Sequence, residues 1–299
     1  MSVTLLILAT IITAATPLLL AALGEFVTEK AGVLNLGVEG MMIVGASCAF
    51  AVAALTGSSF AGVFGGMLAG MLMALLFSLF AIWLATNQVA TGLALTIFGI
   101  GLAGLIGAPF VGANREPIRG LDFTGVARLL FGQDFFVYAS LAFALAVGWW
   151  LNGTRAGLIL RGIGENHASA HALGLPVRGV RTTATMFGGA MSGLAGAYLS
   201  LVYTPFWSPG LTAGRGWIAL ALVVFAGGKV WRLMLGAYLF GAMTVAQLHA
   251  QAGSIGLPSQ LLSAIPYATT ILVLIALSLR RNRSGLAAGS LGQPFIPDR

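Results

Sequence analysis

Residues 28–42, TEKAGVLNLGVEGMM, set Glu29, Lys30, Asn35 and Glu39 among Gly32, Gly37 and Gly40, beside apolar runs long enough to cross a bilayer. Ionisable groups at membrane depth are costly, so they face an aqueous cavity or one another. Asn35 offers a donor and an acceptor to a polar solute, and Glu39 offers acceptors suited to sugar hydroxyls or base amino groups. The alternative for Glu39 is a buried salt bridge between helices. Glu25 and Glu29, four apart near the end of the first span, can pair with Lys30 or with arginines of a later loop. The three glycines around Asn35 predict a broken or re-entrant element near 32–42, lining a pathway, because non-helical backbone at this depth is tolerated only where it lines a cavity or is covered by protein. Thr91, with Asn87 and Gln88 before the fourth span, is a weaker pathway candidate by polarity.

Catalytic signatures are weak by comparison. Gly99-Ile100-Gly101-Leu102-Ala103-Gly104 matches GxGxxG but lies inside an apolar span, with no strand before it, and reads as helix packing. His167 and His171 share a helix face, yet Ala168 stands where a zinc protease carries its general-base Glu, and no third ligand is evident. Asn152-Gly153-Thr154 has a glycosylation pattern but falls at the expected cytoplasmic face. Gly227-Gly228-Lys229 lacks the earlier glycine and the Ser/Thr of a phosphate-binding loop. No catalytic residue, metal site or cofactor is assigned to this chain, which is not expected to be an enzyme.

The elements that position these residues follow from composition. Of 299 residues 58% are hydrophobic and 8% charged, with mean hydropathy +0.96, which excludes a soluble globule. The expected fold is all-α: one polytopic domain over 1–299 with about nine spans (eight to ten), near 3–24, 41–57, 60–85, 89–112, 135–152, 183–203, 215–228, 233–250 and 260–279. The first run has no basic leader and reads as a retained helix. Forty-two glycines, with small-xxx-small pairs at Gly62/Gly66, Gly66/Gly70 and Gly189/Gly193, predict close helix approach. Cys48, the single cysteine, reads as packing. With the 153–182 loop inside, eleven Lys and Arg are cytoplasmic and four (Arg115, Arg119, Arg128, Arg215) lie outside. The N-terminus is then outside and the C-terminus cytoplasmic, and the net charge of +7 calls for no nucleic acid.

Within that loop Asn166 can cap a short helix, Ala168 to Leu173 propagate it, and Gly174 with Pro176 ends it. It is either an amphipathic helix on the membrane surface or a peg for a groove on a cytosolic partner. The 215–228 run is too brief for a straight crossing, so it is broken or embedded. Arg215 meets solute or an external binding protein, or only anchors the helix end; Trp207 and Trp217 read as interfacial anchors.

Three segments carry a resemblance: GEFVTEKAGVLNLGVEGMMIVGA (24–46), GENHASAHALGLPV (164–177) and GRGWIALALVVFAGG (214–228). They resemble hallmark segments of permease subunits of bacterial ABC importers in the simple-sugar and branched-chain amino-acid superfamily, most of all nucleoside permeases. The resemblance spans nearly the whole chain. It implies an inner-membrane permease that translocates nucleosides delivered by a periplasmic or extracellular binding protein, with a simple sugar as the alternative. It also implies a second, related permease subunit and a separate ATPase that binds ATP and Mg. Gly164, Glu165, Asn166, Ala170 and Gly174 match the segment that couples to the ATPase, while His167, Ala168 and Ser169 depart from its usual Pro, Arg or Lys, and Ala. The sugar permeases of the family carry an additional N-terminal helix, and its lack here is consistent with an outside N-terminus. An ion-driven secondary transporter and a membrane scaffold are the competing classes.

Overall fold

The computed structural model describes residues 3–116, 132–252, scattered positions between 261 and 275, and 288–297. The regular elements among the described residues are all helices, with isolated backbone bridges at Val111–Trp207 and Asn114–Phe206. The helices are α1 (Val3–Lys30), α2 (Val38–Thr56), α3 (Ser59–Ser78), α4 (Gln88–Gly107), α5 (Phe135–Gly153), α6 (Arg155–Glu165), α7 (His167–Ala172), α8 (Val177–Tyr198), α9 (Arg215–Ala226) and α10 (Val230–Ala252). A π-turn extends α3 over Leu79–Trp83, and another extends α8 over Leu199–Tyr203.

Seven of these helices are long and apolar enough to cross a membrane, among the described residues. Two features separate this from the nine expected. The run at 215–228 forms α9, whose 12 residues cover about 18 Å, well short of the roughly 30 Å hydrocarbon layer. The span expected at 260–279 falls largely outside the described residues.

Without water between them, transmembrane helices are held by close packing, and glycine sets how close they come. α2, α3 and α8 meet along such a seam. A Cβ on Gly45 would lie 2.5 Å from the Gly193 Cα, one on Gly66 2.8 Å from the Gly45 carbonyl, and one on Gly70 2.8 Å from the Gly193 nitrogen. These three helices form one tightly packed block, which α1 joins through α8. In the GxGxxG match, Gly99 lies against Gly40, whereas Gly101 and Gly104 face open space.

Pro17 inside α1 removes the N–H that would bond to the Thr13 carbonyl. The Tyr198 hydroxyl lies 3.3 Å from that carbonyl and 3.0 Å from Asp134 Oδ2. Asp134 caps α5 through the Phe136 and Val137 amides. The carbonyl that Pro17 leaves without an amide is therefore covered by protein, as lipid requires. On the same face the Arg115 guanidinium donates to the Ala53 and Gly57 carbonyls at the end of α2. Trp207 is buried, its indole against Gly107, where a Cβ would have no room, so it belongs to the core and not to an interfacial belt. Trp217 is partly exposed.

Candidate functional site

α1 ends at Lys30, and residues 31–37 turn the chain back before α2 begins at Val38. Gly32 makes the turn with φ +82°, a left-handed backbone that a side chain would strain. The Asn35 amide donates to Glu25 Oε1 at 3.2 Å. Glu25 lies five residues before the end of α1, so the chain has already re-entered by about 7.5 Å when α2 starts. α4 supplies partners for this stretch: Leu34 N–H donates to Gln88 Oε1 at 2.8 Å, and Thr96 Oγ1 donates to the Leu36 carbonyl at 3.0 Å. Gly92 admits the approach, since a Cβ there would lie 2.7 Å from the Leu36 nitrogen. Asn35 is wholly buried; its Oδ1 accepts from Gly37 N–H at 2.9 Å and closes a local turn, while Nδ2 lies 3.5 Å from Met41 Sδ.

Glu39, in the first turn of α2, receives the start of α9. Its Oε1 accepts from Thr212 Oγ1 at 2.5 Å and from Gly214 N–H at 3.0 Å, and its Oε2 accepts from Gly216 N–H at 2.6 Å. The side chain is 5% exposed. The carboxylate thus sits at the positive ends of two helices, α2 and α9, and satisfies amides that a helix start leaves unpaired. Gly216 permits this: a Cβ there would lie 2.5 Å from the Glu39 Cα. Because 204–214 leads down from the end of α8 to this contact, α9 begins inside the layer.

At the face where α1 ends, α6 and α7 form a cap. Asn166 caps α7, its Oδ1 accepting from Ser169 N–H at 2.9 Å, and Gly174, with φ +79°, ends the turn. Arg181, 1% exposed at the start of α8, ties the cap to the break. Its Nε donates to the Ala31 carbonyl at 3.1 Å, its Nη1 to the Gln293 carbonyl at 3.1 Å, and its Nη2 lies 3.2 Å from His167 Nδ1. Burial, and then the adjacent guanidinium, hold the His167 imidazole below its ordinary pKa of 6.5, so Nδ1 is the acceptor. Gly164 lies against the Lys30 carbonyl without room for a Cβ.

The sequence-predicted residues divide between these sites. Asn35, Gly37 and Glu39 come together at the α2 start, with their polar atoms bonded within the protein. Arg215 adjoins them on α9, but its guanidinium turns back to the Leu211 and Thr212 carbonyls and lies over the Tyr203 ring. Thr91 lies apart on α4, half-buried, its hydroxyl 2.8 Å from that of Thr86 and donating to the Asn87 carbonyl. Gly164 and Ala170 are buried under the cap, whereas Glu165, Asn166 and Gly174 are exposed. His167 and His171 flank the Phe295 ring, at 5.3 and 5.2 Å between ring centres. Arg181, Thr212, Ser290 and Phe295 were not singled out by sequence, because their partners are far along the chain; Gln88, a pathway candidate by polarity, bonds to the Leu34 amide and the Gln293 carbonyl. An apolar groove of about 460 Å³ between α1, α5, α6 and α8 is lined by residues such as Val27, Phe143, Leu160, Thr183 and Phe187, and offers a sugar little to bond.

Residues 7–275 match the family described as the permease component of the branched-chain amino acid transport system. The chain belongs to this family. The permease is 39% identical, over 93% of each chain, to the putative glucose ABC transporter permease protein TsgC13 of Haloferax volcanii. It is 31% identical to the guanosine ABC transporter permease protein NupQ of Bacillus subtilis, over 94% of this chain and 93% of that one. With the nucleoside ABC transporter permease protein NupC of Lactococcus lactis it shares 29% identity over 90% and 91% of the two chains. The protein is a multi-pass membrane permease of the ABC transporter class.

Proposed function

We propose that this permease is the membrane subunit of an ATP-driven importer for a solute carrying a sugar ring. The carrying observation is the connection of an exposed cap helix, α7, through Arg181 to the break at 31–37, and onward through α2 to the start of α9. In this reading α7, with Gly164, Glu165, Asn166, Ala170 and Gly174, seats in a separate ATPase subunit that binds ATP and Mg. A binding protein delivers solute to the opposite face, and a second permease chain completes the pathway. The capped face is then cytoplasmic and the start of α1 external, in a cytoplasmic membrane. Asn35, Gly37 and Glu39 shape the two helix starts, while Thr91 and Arg215, each partly exposed, flank the solute route.

A nucleoside is the first reading, supported by two nucleoside-permease relatives; a monosaccharide is the second, favoured by the higher identity to the glucose-permease relative. The test is uptake into proteoliposomes that hold the permease, its ATPase and its second permease subunit, with the binding protein outside. ATP-dependent uptake of labelled guanosine supports the first reading. Uptake of glucose or ribose alone supports the second, and uptake without ATPase or ATP refutes the importer.

A further inference from the structure

The segment 288–297 lies under the cap as a strap, and its contacts are spread over four helices, α4, α6, α7 and α8. Ser290 N–H donates to the Gly164 carbonyl at 2.8 Å, at the end of α6. The Ser290 hydroxyl donates to the Glu165 carbonyl at 3.2 Å and accepts from His167 N–H at 3.2 Å, the first amide of α7. Gly289 allows this approach, since a Cβ there would lie 2.6 Å from the Glu165 carbonyl oxygen. Phe295 is buried with Ile163, Ala170 and Val177, which come from α6, α7 and α8. The Gln293 carbonyl accepts from Arg181 Nη1 at 3.1 Å and from Gln88 Nε2 at 3.4 Å, and the same Gln88 side chain holds the Leu34 amide of the break.

We propose that the strap is a positioning element for energy coupling: it binds α7 to Arg181, Gln88 and the 31–37 break so that they move as one body. This rests on the reading of α7 as the ATPase contact. α7 has six residues, too few to be rigid alone, and its peptide chain joins the bundle through single-residue and few-residue links at Asn166 and 173–176. Without the strap, a displacement imposed on α7 can be absorbed at those links. With Phe295 wedged between α7 and α8, and Gln293 bridging Arg181 and Gln88, the displacement has to reach the α1–α2 junction.

The experiment uses the complete reconstituted importer and compares Phe295→Ala, Ser290→Ala, a chain ending at 287, and Asn166→Ala in α7 itself. The readouts are co-purification of the ATPase, ATP hydrolysis, and solute moved per ATP. Allosteric couplings of about 5–150-fold are typical, so Phe295→Ala is expected to lower solute per ATP by about fivefold or more with the ATPase still bound. A merely structural strap would lower protein level and leave solute per ATP normal in the protein that remains, which would overturn the proposal. Uncoupling by Asn166→Ala with normal ratios in all three strap variants also overturns it while the α7 reading stands. Normal ratios in all four variants refute the α7 reading itself.

Discussion

Glu39→Gln replaces one carboxylate oxygen by an amide nitrogen without changing the side-chain volume. Thr212 and Gly214 share Oε1, and Gly216 bonds to Oε2. The better orientation of a glutamine keeps its oxygen toward Thr212 and Gly214 and turns its NH2 toward the Gly216 N–H, donor against donor. Losing this hydrogen bond to a charged group, with the Gly216 N–H left buried and unpaired, costs about 1.5–3 kcal/mol, so the substitution weakens the α2–α9 contact by roughly 2 kcal/mol or more. Removing the negative charge from the start of α9 adds to the loss. By the scaling of soluble domains, the detergent-solubilised permease should melt roughly 5 °C lower or more. Thr212→Val, which takes away one donor of the same set, should fall between Glu39→Gln and the parent protein. A Glu39→Gln protein melting within about 1 °C of the parent would refute the view that Glu39 holds the start of α9.

Three further outcomes follow from the packing. Gly45→Val should prevent accumulation of folded permease, since its Cβ would meet the Gly193 Cα at 2.5 Å, whereas Gly101→Ala, facing open space, should accumulate normally; fluorescence-detected size exclusion compares them. Tyr198→Phe removes the hydroxyl shared between Asp134 Oδ2 and the Thr13 carbonyl beside Pro17 and should cost about 1–3 kcal/mol, read as a lower melting temperature. Docking of the strap should weaken in acid. The docked His167 has a pKa lowered from 6.5, so the undocked form binds more protons; docking is full above about pH 6.5 and is lost as pH falls through the lowered value. Arg181 on α8 faces the ring, with His171 of α7 across Phe295 and Glu165 at the end of α6. Hydrogen exchange of 288–297, corrected for intrinsic rates, should show this loss, and His167→Asn should remove the pH dependence.

Much of the fold is legible in the sequence because lipid makes the rules local. Long apolar runs give the spans, and Asn166, Gly174 and Pro176 mark out α7 with boundaries close to those observed. The shortness of α9 was also readable, as a run too brief to cross. What could not be read is pairing. Asn35 and Glu39 have the same polarity whether they meet a solute or the protein, and the partners of Glu39 lie 173–177 residues away. Glycine spacing identified Gly66, Gly70 and Gly193 as contact residues, but not that they meet one another and Gly45 in a three-helix seam. Ser290 and Phe295 follow the apolar spans in a stretch with no helical period, so nothing local marks them as partners of α7.

The distribution of rigid and compliant parts limits how the permease can move. The seam of Gly45, Gly66, Gly70 and Gly193 leaves no slack between α2, α3 and α8, so these helices shift together or not at all. Irregular backbone lies instead in the stretch 204–214, which contains left-handed residues at Gly210, Ala213 and Gly214, whereas the turn through Gly32 is tied down by Gln88, Thr96 and Arg181. Glu39 sits where the two regions meet, on the block through α2 and bonded to the end of the irregular stretch and the start of α9 through Gly214 and Gly216. If α7 couples to an ATPase as proposed, Arg181 links it to Ala31 and so to the start of α2. The expected response to force at the cap is then movement of α9, reached through 204–214, against the α2–α3–α8 block. A spin-label pair spanning α2 and α9 should change separation between nucleotide states, while a pair spanning α2 and α3 should hold its distance; motion in the second pair alone would contradict this division.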